Sequence, residues 1–263
     1  MLIPIHDPGD PRIEPFRQVR ERDLVGRQGG FMVEGEVVLA KAVAAGRHEL
    51  AGLLIDEKRV AALTAILDQL PGATPVYVAA QAVLDAIVGF HIHRGILAVG
   101  RRAYEPAADE LLASLPERAV VLALFGIGNH DNMGGLFRNA AAFGASAVLL
   151  GRDCCDPLYR KAIRVSVGAA LTTPFAWFDE GDPIDLLRRH GFEPMALSPT
   201  ASETLREVVR PPRAAVILGA EGPGLPADML ARARAVGIPM ADGFDSLNVA
   251  VTAGIVLHHL TAG

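Results

Sequence analysis

Cysteine is nearly absent from this 263-residue chain: there are two, Cys154 and Cys155, side by side. Neighbouring cysteines close at best a strained disulfide, and no Cys-x-x-Cys pair suggests zinc, so both read as small, half-buried side chains. Aromatic residues make up only 5% of the chain while hydrophobic residues make up 51%, which means a core built largely from Ala, Val and Leu. Long apolar runs are missing as well. The longest, such as Ala119 to Phe125, are far too short to span a bilayer, and no membrane partner is expected. Met1 to Asp7 lacks a basic region followed by an apolar stretch, so a cytoplasmic protein is the expectation. No Gly-x-Ser-x-Gly elbow marks a serine hydrolase. Lysine is scarce too, at three of 25 basic residues.

The net charge of −5 argues against a strongly basic nucleic-acid binder, yet the sum conceals a cluster. Arg12, Arg17, Arg20, Arg22 and Arg27 fall within sixteen residues, opposed only by Glu14, Glu21 and Asp23. Arginine suits bidentate phosphate contacts, although genome base composition is the simpler explanation of its excess over lysine. His91 and His93 alternate along a strand edge without a third ligand, and His258 and His259 point in different directions near a helix end. No metal site is assigned.

What is present is an alternation of strand-like and helix-like segments, the pattern of an α/β protein. Its length fits one large domain or two of ordinary size, and the pattern is read as two. An N-terminal domain spans residues 1–101, with an arm before Gly30 that is partly helical around Phe16 to Asp23. Its strands are Phe31 to Glu34, Leu50 to Ile55, Pro75 to Ala79 and Arg94 to Val99. Its helices are Val37 to Ala45, Val60 to Leu70 and Gln81 to Ile87. Residues 102–117, bracketed by Pro106 and Pro116, read as a linker or bridging helix. A C-terminal domain spans 118–263, with strands Ala119 to Phe125, Ala147 to Leu150, Pro174 to Phe178, Glu193 to Leu197, Ala214 to Leu218 and Val236 to Met240. Continuous apolar strands separated by helices imply a parallel sheet covered on both faces. Ligands of such sheets sit at the carboxyl ends of the strands.

Three loops lie at such ends. The first is Asn129-His130-Asp131-Asn132-Met133-Gly134 with Arg138 on the helix that follows. The second is Gly219-Ala220-Glu221-Gly222-Pro223-Gly224-Leu225, where a carboxylate between glycines and apolar flanks is a poor placement unless it holds something. The third is Ile238-Pro239-Met240 followed by Ser246-Leu247-Asn248-Val249, where Ser246 is read as the start of a C-terminal helix running to Leu260. That helix is apolar nearly all round, which suggests burial on most sides and a subunit interface. Gly222-x-Gly224-x-x-Ala227 with Asp242 formally fits a dinucleotide fingerprint. Pro223 and Pro226 remove N–H donors from the loop, and too little chain follows to complete such a domain, so a nicotinamide-dependent oxidoreductase is disfavoured.

Taken together and in this order, the loops resemble the SpoU (TrmH-type) family of SPOUT methyltransferases. The first resembles its motif Asn132-x-Gly134-x-x-x-Arg138, continued by Ala140 to Gly144. The second resembles Ile217-Leu218-Gly219-Ala220-Glu221-Gly222-x-Gly224-Leu225, and the third Ile238-Pro239-Met240 with Ser246-Leu247-Asn248-Val249. Arg164-x-Ser166-x-Gly168 is similar to a further family segment. Phe31-Met32-Val33-Glu34-Gly35 and the strand ending at Val99 are similar to its ribosomal-protein-like N-terminal substrate-binding domain. The resemblance implies a C-terminal domain with a deep trefoil knot, a homodimer, and S-adenosylmethionine held by Leu218, Gly219, Ile238, Met240 and Leu247. It implies methyl transfer to a ribose 2′-hydroxyl of RNA, ribosomal or transfer RNA with the ribosomal favoured, with Arg138, Asn132, Glu221, Ser246 and Asn248 at the catalytic positions. Two positions depart from the pattern: Asn129-His130 stands where the family has Asp-Pro, and Ala250 where it has serine. They keep open a second reading, a catalytically idle RNA-binding homologue.

Overall fold

In a computed structural model the described residues are 2–17, 29–89, 91–178, 181–220, 224–242 and 246–261. Their strands are β1 Leu2–Pro4, β2 Gly30–Glu34, β3 Glu49–Asp56, β4 Val76–Ala79, β5 Ile96–Arg101, β6 Ala119–Leu124, β7 Ala147–Leu150, β8 Phe175–Trp177, β9 Glu193–Leu197, β10 Glu203–Thr204, β11 Arg213–Leu218 and β12 Arg234–Gly237. The α-helices are α1 Glu36–Ala45, α2 Val60–Leu67, α3 Gln81–Val88, α4 Ala108–Ser114, α5 His130–Ala142, α6 Arg160–Val165, α7 Ala169–Thr172, α8 Pro183–Arg189, α9 Ala227–Arg232 and α10 Val249–Thr261. The chain forms two compact units, Met1–Tyr104 with Leu158–Thr172, and Glu105–Pro157 with Thr173–Gly263.

The first unit holds a five-stranded sheet in the order β1–β4–β3–β5–β2. β1, β4 and β3 are parallel, and β5 runs antiparallel to β3 and β2 on either side. The strand expected from Arg94 begins at Ile96, because Arg94 and Gly95 lie in a turn that the Gly95 N–H closes on the Ile92 carbonyl at 3.3 Å. The N-terminal residues read as an arm are partly built in. Leu2–Pro4 pairs with β4, and Ile5, Ile13 and Phe16 are buried with Met32, Leu54 and Leu97. The helix expected over Phe16 to Asp23 falls, beyond Arg17, outside the described residues; ahead of it Pro11–Phe16 is a short 3-10 helix. Arg17 after it pairs with Glu14 at 2.8 Å, while Arg20, Arg22 and Arg27 lie outside the described residues.

Leu158–Thr172, which interrupts the second half of the chain, folds with this unit. Arg160 on α6 donates through Nε and Nη2 to one oxygen of Glu34, at 3.0 and 2.8 Å, in a mostly buried pair. Arg164-x-Ser166-x-Gly168 forms the corner between α6 and α7: the buried Ser166 hydroxyl donates to the Ile163 carbonyl at 3.0 Å and accepts the Ala170 N–H at 3.2 Å.

The second unit holds a seven-stranded, wholly parallel sheet in the order β10–β12–β9–β11–β6–β7–β8. Every residue of central strand β6 is buried. Ala119, Val121 and Ala123 pack with Leu111 and Leu112 of α4 and Ile184 and Leu187 of α8. Val120, Leu122 and Leu124 point to the opposite face and are buried as well. The sheet is therefore covered on both sides, as its unbroken apolar strands require. At its edge, Arg234 of β12 pairs with Glu193 of β9 at 2.7 Å and with Glu203 of β10, stitching three strands. The strand expected over Val236 to Met240 is displaced to Arg234–Gly237, since its ladder to β9 begins at Arg234 and Pro239 has no N–H to extend one. Among the described residues no helix is long and apolar enough to cross a membrane.

His48, between α1 and β3, accepts the Ala103 N–H on Nδ1 at 3.1 Å and meets the Phe31 ring edge to face. Burial, helped by the charges of Arg47 and Arg102, pushes its pKa from the usual 6.5 to about 4. Above pH 6.5 the imidazole is neutral folded or unfolded, and it costs nothing. Between about 6.5 and about 4 only the unfolded chain takes up the proton, so stability falls as the pH falls through that window. Denaturant titrations of wild type and His48→Phe should therefore diverge in slope against pH across it; parallel profiles would contradict the buried neutral imidazole.

Candidate active site

Because all seven strands of the second unit run one way, their carboxyl ends share one edge. Leu218 ends β11, buried, and its carbonyl accepts the Phe125 N–H at 3.0 Å. Gly219 follows where the chain doubles back: an added Cβ would stand 2.6 Å from the Gly224 carbonyl carbon and 2.7 Å from the Leu225 nitrogen. The fold-back is closed by the Gly224 N–H on the Ala220 carbonyl at 3.1 Å. Glu221, Gly222 and Pro223 lie outside the described residues. Two strands over, about 10 Å away at ordinary strand spacing, Ile238 and Met240 follow β12, both half-buried.

Sequence reasoning passed over the loop between them. After β9, the Ser198 N–H donates to the Val236 carbonyl at 3.0 Å, and its hydroxyl lies 3.0 Å from that of Thr200. Leu197-Ser198-Pro199-Thr200 is an apolar strand running into a polar turn, the signal that singled out the other loops. On the other flank Gly126 follows β6, where a Cβ would meet Ala220 at 2.8 Å. Beside it the half-buried Cys154 donates its thiol to the Leu124 carbonyl at 3.3 Å, and burial pushes Cys154 and Cys155 up to about 11 and about 12. Neither is a thiolate nucleophile at neutral pH.

Asn132 and Asn248 meet here. Asn129 caps α5, accepting the Asp131 N–H at 2.7 Å, and sets Asn132 on the first turn, 8% exposed. The Asn248 side-chain amide donates to Asn132 Oδ1 at 2.8 Å across 116 residues of chain. Asn248 Oδ1 accepts the N–H groups of Ala250 and Val251 at 2.9 and 3.3 Å. That makes Asn248 the helix cap and corrects the expectation that the helix starts at Ser246: α10 begins at Val249, because the Asx cap terminates it there. Ser246 and Leu247 precede the cap as exposed loop residues, Leu247 at 41%.

Below this contact α5 and α10 run side by side in the same direction. Asn132 faces Asn248, Gly135 faces Ala250, Asn139 faces Ala250 and Gly254, and Phe143 faces His258. A Cβ on Gly135 would come within 2.8 Å of the Ala250 Cβ, so the helices meet almost backbone to backbone. Arg138 lies on α5 next to Asn139 but outside that contact. It is exposed and makes no hydrogen bond or ion pair with the described residues. Within one chain, then, Asn132 and Asn248 are brought together, and Arg138 stands off from them.

Among the described residues no group of three or more His, Cys, Asp and Glu side chains gathers as metal ligands. In the first unit, His91 bonds Asp85 at 2.7 Å and packs edge to face on His93.

A parallel sheet with its polar loops and two helix N-termini gathered at the carboxyl edge defines an α/β protein of the class whose ligands sit at that edge. Residues 119–258 match the model of the SpoU rRNA Methylase family. The chain is 38% identical to an uncharacterized tRNA/rRNA methyltransferase of Mycobacterium bovis, over 97% of this chain and 90% of the relative. It is 32% identical to the 23S rRNA (guanosine-2′-O-)-methyltransferase RlmB of Salmonella typhi, over 63% of this chain and 70% of that protein. The crystal structure of an AdoMet-bound rRNA methyltransferase from Sinorhizobium meliloti superimposes with a TM-score of 0.81 at 22% identity, covering 98% of this chain and 97% of the other. The chain belongs to the SpoU family of RNA methylases.

The close approach of α5 and α10 is testable. Gly135→Val forces branched carbons into the Ala250 contact, and overpacking of this kind costs roughly 1–3 kcal/mol. Chemical denaturation should show that loss, and an unchanged midpoint would mean the helices are not held at this distance.

Proposed function

We propose that this protein transfers a methyl group from S-adenosylmethionine to a ribose 2′-hydroxyl of RNA, ribosomal rather than transfer RNA. The observation that carries the proposal is the Asn132–Asn248 hydrogen bond, which unites the first and third family motifs at the edge where Gly219 of the second emerges. The guanosine-2′-O activity in the name of the Salmonella relative supports the acceptor, and the AdoMet-bound Sinorhizobium structure supports the donor.

The residues present suit that donor. Ile238, Met240 and Leu247 keep apolar surface half-buried or exposed at the edge, a match for an adenine face and a thioether chain. Leu218 and Gly219 present main-chain groups where a side chain would block the loop. When bound, the donor supplies a methyl group already activated by a sulfonium. The protein's part is to align a hydroxyl and favour loss of its proton. A guanidinium offers five donors and no acceptor, so Arg138 is assigned as a clamp rather than a base. Its exposed guanidinium holds the neighbouring phosphate in a two-pronged contact and lowers the cost of the forming alkoxide. Asn132 and Asn248 hold the rim in register, and the Ser246 hydroxyl positions the nucleoside. Glu221 is assigned by its motif to orient Arg138. The arginines of the N-terminal unit select the RNA, and the carboxyl-edge loops form the knot of the family.

Leu247, Val251 and Ile255 follow one another at intervals of four residues, 41%, 52% and 40% exposed. The apolar stripe of Val251 and Ile255 on α10, with Leu247 in the loop before it, is assigned to a second copy of the chain. Val251→Asp should convert a dimer to a monomer in sedimentation velocity; a wild type monomeric at micromolar concentration would remove the assignment.

Tritiated methyl transfer to RNA from cells lacking the gene, with nuclease mapping of ribose methylation, tests the activity itself. Arg138→Ala should lower turnover by about 10²–10³-fold with donor affinity unchanged. Arg138→Lys keeps the charge without the fork and should recover little. Near-wild-type turnover of Arg138→Lys would rule out the clamp, and donor binding without transfer to any RNA would favour the idle homologue.

A further inference from the structure

We propose that Asn139, which none of the family motifs includes, is a positioning residue for methyl transfer, holding the first turn of α10 in register on α5. This rests on the methyltransferase reading above. The Asn139 side-chain amide donates to the Ala250 carbonyl at 2.6 Å, across 111 residues of chain. A helix leaves N–H groups, not carbonyls, unsatisfied at its N-terminus. Ala250 lies in the first turn of α10, so its carbonyl does not need this donor, and the bond serves placement rather than satisfaction. Gly254 makes room for it: an added Cβ would lie 3.3 Å from the Asn139 amide nitrogen and 3.5 Å from its Cγ. Glycine weakens a helix interior, and here it opens the space the amide fills.

The rest of the contact shows what the device acts on. Gly135, Ala250 and Gly254 let the two helices approach closely in their first turns. Two side-chain hydrogen bonds span that approach and fix its register. Asn248 holds the Ala250 N–H and reaches Asn132, while Asn139 holds the Ala250 carbonyl. The Ala250 residue is thus gripped on both of its main-chain polar groups, two residues from the cap and three from Leu247. A displacement of the first turn would carry the Ser246–Asn248 rim with it, and misplacement on the ångström scale is costly in rate.

A merely structural role for Asn139 would cost activity only through stability. The comparison is therefore with Phe143→Ala, which cuts the same helix pair at its far end, where Phe143 meets His258 with ring centroids 5.8 Å apart. Turnover, donor affinity and melting temperature are measured for wild type, Asn139→Ala, Asn139→Asp and Phe143→Ala. Asn139→Ala should lower kcat by about tenfold, well beyond Phe143→Ala compared at equal loss of melting temperature. Asn139→Asp, nearly isosteric but with a carboxylate facing a carbonyl, should fall at least as far. Loss in proportion to melting temperature across the series, or full activity in Asn139→Asp, would overturn the proposal. Hydrogen exchange separates its failure from that of the methyltransferase reading. If wild type transfers no methyl group, the Val251 and Thr252 amides should still exchange about tenfold faster in Asn139→Ala and at the wild-type rate in Phe143→Ala. Equal rates in the two variants would overturn it.

Discussion

The near backbone-to-backbone contact of α5 and α10 is the constraint on which the site depends. The two helices are far apart in sequence, and each starts at the carboxyl edge of the same parallel sheet. Once Gly135 admits Ala250 and Gly254 admits the Asn139 amide, the two N-termini must lie side by side. Asn132 and Asn248 can then bond directly, and the end of the loop that leads from β12 into α10 falls at the N-terminus of α5. A larger residue at either glycine would separate the helices and with them the first and third motifs. Ala250, where the family has serine, fits the same logic: its methyl group is the surface that Gly135 receives.

The sheet supplies the second half of the geometry. Parallel strands buried on both faces, as β6, β7 and β11 are, need small and branched apolar side chains, and the high Ala and Val content answers that need. Parallel order also gathers each strand-to-helix loop on one edge. The composite site is therefore a consequence of topology, with only a few polar side chains added. Charge is handled locally. Arg234 is spent on the sheet edge and Arg160 on Glu34, whereas Arg138 has no described partner. An exposed arginine with no described partner is available to an anionic ligand in a way that the paired ones are not.

Much of this was legible in the chain. The apolar runs of β6, β7, β9 and β11 were readable because strands buried on both sides carry no polar interruptions, and the three loops stood out as polar breaks after such runs. Boundaries were less legible. A serine before an apolar run is an ordinary cap, so Ser246 reads as the helix start; Asn248 is an equally good cap, and only its bonds to the Ala250 and Val251 N–H groups show which one serves. The Ser198–Thr200 turn carried the same signal as its neighbours but stands among no glycines, so it was passed over. Asn139 was invisible for a different reason, since an asparagine mid-helix beside Arg138 has no pattern until Gly254 is placed against it.

By itself the sequence determined the α/β class, the parallel sheet and the family, because periodicity, run length and motif order are properties of the chain. The tertiary structure alone decided that Leu158–Thr172 folds with the N-terminal unit, that Asn132 meets Asn248 while Arg138 faces away, and that Asn139 grips Ala250. Each of these is a contact between residues far apart in the chain, set by backbone separations and donor directions that no local pattern encodes.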